Sequence, residues 1–111
     1  MWWKLILVTL ASFTSAITEG DGTSKVFLTD RVVDKVRYHI SSTLVTNTTI
    51  LIQTSIDGSK WGNAVSNASP GTAELTGTID GPIAYLRVKT VGATTNVGAA
   101  LTVKALANVS P

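Results

Sequence analysis

The sequence holds few groups that could do chemistry. His39 is the single histidine of 111 residues, and there is no cysteine, which excludes disulfides and thiolate metal sites within the chain. A Ser–His–acid relay needs a serine on a strained turn beside the imidazole. His39 instead lies mid-run in VDKVRYHIS, where Lys35, Arg37 and His39 alternate with Val36, Tyr38 and Ile40. That period of two is the mark of a strand with one wet face. The acids Glu19, Asp21, Asp30, Asp34, Asp57, Glu74 and Asp80 fall mostly in or beside turns. There Asp serves local hydrogen bonding, and no two acids are placed to converge as a glycosidase pair. Asp21-Gly22 and Asp80-Gly81 lack calcium-loop spacing, and no phosphate-binding glycine loop is present. We therefore expect no enzyme activity, no catalytic residues, no metal and no cofactor.

One further group is SIDGSKW, residues 55–61, which sets one of three tryptophans beside an Asp-Gly step. Asp-Gly is a strong short-range hairpin signal. A two-residue turn at Asp57-Gly58 would start the return strand near Trp61, letting the indole fold across the end of the core as a plug. The other use of such a tryptophan is an exposed stacking platform for a sugar ring, with Tyr85 as its companion.

The elements around these residues read as strands. Charged residues make up 14% of the chain, against about 25% in an average domain, and β-branched residues are abundant. This favours an all-β domain with neutral surface, some of it covered by partners. The spacing predicts strands over 25–29, 33–41, 49–56, 72–78, 83–91 and 101–106. Turns are expected at 20–24, 46–48, 57–58 and 80–82, and a polar loop at NAVSNASPG, 63–71. Ile50, Ile52, Thr54 and Ile56 share one expected face; Leu101, Val103 and Ala105 point in while Lys104 points out. No long segment has a 3.6-residue apolar period. Seven or eight short strands with regular turns describe an antiparallel β-sandwich of Ig-like or jelly-roll-like form, without significant helix, in a single domain over 1–111.

The first residues, MWWKLILVTLASFTSA, admit two readings. Lys4, an apolar run and Thr14-Ser15-Ala16 fit a cleaved signal peptide. The rival is a strand from Trp3 to Phe13, with Leu5, Leu7, Thr9 and Ala11 on one face and Ile6, Val8 and Leu10 on the other. We favour the strand. Being apolar on both faces, it is expected to pack on something beyond its own sheet. Trp2, Trp3, Ile6, Val8 and Leu10 are then the leading interface candidates, with Arg37, His39, Arg87 and Lys89 as polar contacts. Residues 1–10 should on this view be removable without unfolding the domain. Nine scattered basic residues and a net charge of +2 give no nucleic-acid footprint. The apolar run is too short to span a bilayer, which takes about 20 residues.

ILIQTSIDGSKW, a turn-rich gap, YLRVKT and the closing ALTVKAL together resemble the small β-sandwich accessory proteins of tailed-bacteriophage virions, where S-x-D-G-x-x-W and Y-x-R-V recur. Ser55, Asp57, Gly58, Trp61, Tyr85 and Arg87 carry the match, and GDGTSKVFLTDR fits the usual N-terminal half. The WW at positions 2–3 and the two-faced strand after it depart from the pattern. The resemblance implies a structural protein that decorates or cements a capsid, bridging coat subunits on the capsid surface after synthesis in the host cytoplasm. Its implied partners are the major capsid protein and other copies of itself, with no small-molecule substrate. A neck, tail or fibre-base component is the alternative within the virion, and a secreted carbohydrate-binding module the alternative outside it.

Overall fold

The computed structural model describes residues 4–21, 25–26, 33–92 and 96–109. In chain order the strands are β1 (Lys4–Phe13), β2 (Ala16–Ile17), β3 (Gly20–Asp21), β4 (Lys25–Val26), β5 (Val33–Val45), β6 (Thr48–Ser55), β7 (Gly62–Ala68), β8 (Gly71–Asp80), β9 (Tyr85–Gly92), β10 (Asn96–Val97) and β11 (Ala100–Val109). β1, β11, β5 and β8 form one antiparallel sheet, in that order. The second sheet runs β7, β6, β9, with β3 and β4 both on the far side of β9; β2 and β10 pair separately. The chain crosses between sheets at 46–47, 69–70 and 81–84, so the two sheets are interlaced rather than built one after the other. The result is the expected β-sandwich.

Alternation builds the core. Leu101, Val103, Ala105, Ala107 and Val109 line the inner face of β11, with Val33, Val36, Ile40 and Val45 from β5. Ile50 and Ile52 from β6 and Leu86 and Val88 from β9 complete the same buried cluster. No buried side-chain polar atom among the described residues lacks a hydrogen bond. Thr90, inward on β9, shows how this is met. Its hydroxyl accepts from the Gly20 amide at 3.1 Å and donates to the Thr18 carbonyl at 2.8 Å, fastening the 18–20 segment to β9.

Bulges explain where strict alternation fails. β5 shows inward residues at 33, 36, 40, 42 and 45, because its pairing slips near Asp34 and again between Ser42 and Val45. At the second slip Leu44 takes a left-handed φ of 55° and its amide donates to Thr72 Oγ1. β1 slips between Thr9 and Ala11, leaving Leu10 without an opposite residue on β11. Such an extra residue shifts the side-chain phase by one. Hence Leu10 and Ala11 are both buried, and the expectation that Ala11 shares a face with Leu5, Leu7 and Thr9 is corrected.

Two further expectations change. The 63–71 stretch contains β7, whose ladder with β6 runs from Ala68 opposite Thr49 to Gly62 opposite Thr54. β7 is an edge strand with small, polar, largely exposed side chains, so its backbone bonds, not its sequence, define it. The Asp57-Gly58 step is not a two-residue hairpin. Residues 56–61 all lie outside the ladder, and Ile56, expected to share a face with Ile50 and Ile52, is 90% exposed while those two are buried.

Candidate interaction surfaces

Each sheet turns one face outward, and the candidate residues divide between them. On the four-stranded sheet the register sets Leu7, Leu106, Arg37 and Thr78 in one row across β1, β11, β5 and β8. The next row holds Thr9, Lys104, His39 and Thr76, and a third holds Leu5, Asn108, Lys35 and Asp80. Leu5 and Leu7 are 67% and 64% exposed on the edge strand β1. Lys35 and Asp80 approach to 3.8 Å. His39 Nε2 lies 2.6 Å from Glu74 Oε2, while the Ser41 hydroxyl donates to Glu74 Oε1 at 2.9 Å. The Ser41 bond first, and His39 second, hold the Glu74 carboxyl below its ordinary range. Arg37 and Lys104, both exposed, have no ion-pair partner among the described residues. Two open depressions on this face meet at His39 and Lys104, one of them also walled by Leu7 and Leu106.

The second sheet's outer face is built on Trp61. Gln53 sits opposite Arg87, and Ser55 opposite Tyr85. Arg87 Nε donates to Gln53 Oε1 at 2.7 Å, and Gln53 Nε2 donates on to Asn63 Oδ1 at 2.8 Å. The guanidinium carbon lies 4.2 Å from the centre of the Trp61 ring, a cation–π contact. Tyr85 meets the indole edge-on, with centroids 6.4 Å apart and planes at 79°. The 56–61 loop that delivers Trp61 is fixed by Asp57. Its Oδ1 accepts from the amides of Ser59 and Lys60 at 2.8 and 2.9 Å, and from the Ser55 hydroxyl at 3.0 Å. These bonds, led by that from Lys60, hold the Asp57 carboxyl below its usual range. Gly58, at a φ of 77°, lies against the Tyr85 ring: a Cβ there would come within 2.9 Å of Cε1.

Several sequence-predicted positions are thereby relocated. Ile6, Val8 and Leu10 face this molecule's own core, Leu10 being 1% exposed, so the outward apolar pair on β1 is Leu5 and Leu7. Trp61 is half-buried on an outer face rather than plugging the core. Arg37 and His39 lie on one sheet, Arg87 and Lys89 on the other, so these four do not form one patch. Trp2 and Trp3 lie outside the described residues. Sequence reasoning placed Lys104 outward but did not single out Leu5, Leu7 or Leu106 as surface features. The same alternation of β11, carried on two residues from Lys104, would have found Leu106, but the face of β1 could not be chosen without its partner strand.

These surfaces define an all-β sandwich with two opposed outer faces, each carrying cations beside apolar or aromatic groups. No protein-family model and no curated protein matches the chain. Among solved structures, it is similar to the crystal structure of the SPBc2 prophage-derived protein YomS. The superposition has a TM-score of 0.63 at 17% sequence identity and covers 99% of this chain and 96% of that one. At that identity the likeness is one of fold, from end to end.

Proposed function

We propose that this chain is a structural component of a bacteriophage particle, and that it decorates the capsid by bridging neighbouring coat subunits. The observation that carries the reading is the end-to-end fold likeness to a prophage-derived protein. The resemblance of S-x-D-G-x-x-W and Y-x-R-V to virion accessory proteins adds to it, since those residues build the ordered Trp61 corner. A flat slab with two outward faces suits a bridging part, because each face can meet a different neighbour. The role is binding rather than turnover and asks for no cofactor. Modest contacts suffice, since many copies on a symmetric lattice gain avidity. Its partners on this reading are coat protein and sister copies, and its place is the capsid surface after synthesis in the host cytoplasm.

The test is addition of the purified chain to particles made without it, followed by electron cryomicroscopy. Regained density at repeated positions on the shell is the expected result. Density confined to a neck, tail or fibre base would move the protein to the alternative site in the virion. The half-exposed Trp61–Tyr85 pair also keeps a carbohydrate-binding role in play. Retention on a polysaccharide gel that is lost in a folded Trp61→Ala variant would favour that role over decoration.

A further inference from the structure

We infer that the outer face of the four-stranded sheet docks on a different polypeptide whose surface sets carboxylates around an apolar ridge. The inference rests on the structural-protein reading above and names the partner chemistry of one face. Leu5, Leu7 and Leu106 form an apolar strip along β1 and β11, and exposed leucine pairs on an edge strand favour being covered. Beside them stand Arg37 and Lys104, the two exposed cations of this face with no ion-pair partner among the described residues. Arg37 shares a row with Leu7 and Leu106, and Lys104 lies in the adjoining row, so charge and apolar surface belong to one patch.

Charge decides against a second copy as the occupant. The other outer face carries Arg87 and Lys89, and the chain is net positive. The carboxylates of this face, Asp80 and Glu74, are already engaged by Lys35 and His39, so a like face offers Arg37 and Lys104 no free acid, and stacking unlike faces sets them against Arg87 and Lys89. Like-charge juxtaposition across an interface is strongly unfavourable. A uniformly anionic surface, such as a lipid bilayer or a nucleic-acid backbone, also fits poorly. Glu74 and Asp80 lie on this same face, and phosphates would leave the leucines uncovered. A mixed acidic and apolar protein surface satisfies all of these groups together.

The test is a photo-crosslinking amino acid placed at position 7 of the full chain, in the cells that make it, with the exposed position 66 on β7 as control. Mass spectrometry of the product is expected to identify one different polypeptide, joined through a peptide that contains Asp or Glu. Combining it with Arg37→Glu and Lys104→Glu should lower the yield about tenfold, whereas Arg87→Glu with Lys89→Glu should leave it unchanged. The thermal melt of each variant shows that it is folded. Crosslinks to a sister copy, lipid or nucleic acid, or a yield no higher than at position 66, would overturn the inference. If the identified partner is acidic but is not a virion protein, the docking face stands and the decoration reading falls.

Discussion

Trp61 and Asp57 show how one corner is held. The indole contributes through Arg87 and Tyr85 on an outer face, so truncating it removes only part of the area a core aromatic would bury. Trp61→Ala is expected to cost about 1–2 kcal/mol, a cation–π contact plus partial burial. Leu101→Ala, in the core, should cost about 2–5 kcal/mol. Chemical denaturation of both variants checks the order, and equal losses would return Trp61 to the core. Asp57 and Glu74 add a pH dependence. Both carboxyls titrate below their unfolded values, so their stabilisation is complete above the ordinary carboxylate range, about pH 4, and is lost as pH falls through the lowered values. The melting temperature should therefore drop on acidification below about pH 4. Asp57→Asn should flatten part of that drop, measured by thermal melts across the range. The motif around Trp61 was legible in the sequence, but its direction was not. Asp57 binds the Ser59 and Lys60 amides rather than closing a two-residue turn, and that choice depends on where Gly62 pairs with Thr54.

β1 is the element whose role changes most. Its first expected use was a detachable contact, yet Leu10 is core, Ile6 and Val8 pack on it, and the strand pairs along β11 from Lys4 to Phe13. Loss of Leu10 alone is worth about 2–5 kcal/mol, against a total stability of roughly 5–15 kcal/mol for a domain. Deleting residues 1–10 is thus expected to unfold or aggregate the protein, read by circular dichroism and sedimentation. A soluble, cooperatively melting product would contradict this. By contrast Leu44, exposed and left-handed in the β5 bulge, sits where Asn is better tolerated. Leu44→Asn should raise the melting temperature by a few degrees. β6, β9, β11 and the stretch of β5 between its two bulges were legible because alternation on a two-sided sheet leaves a period of two. The β1 bulge and β7 were not: a bulge is fixed by the partner strand, and an edge strand of small polar residues lacks the apolar repeat that marks a strand.

At the scale of the whole molecule, the account is of a two-faced slab. One face offers leucines beside Arg37 and Lys104, and the other an aromatic corner braced by Arg87 and Gln53. Binding through the first face should weaken as salt rises, because Arg37 and Lys104 act at the interface rim. The leucine strip should preserve a salt-resistant remainder, which Leu5→Ser with Leu7→Ser would remove; sedimentation with intact particles across a salt series reads both effects. The copy number of this chain in purified particles, measured against the coat protein by quantitative mass spectrometry, tests the central claim most directly. Decoration predicts a fixed, lattice-scale ratio of the two chains. Absence from the particle, or the few copies that a neck or tail would hold, would contradict it.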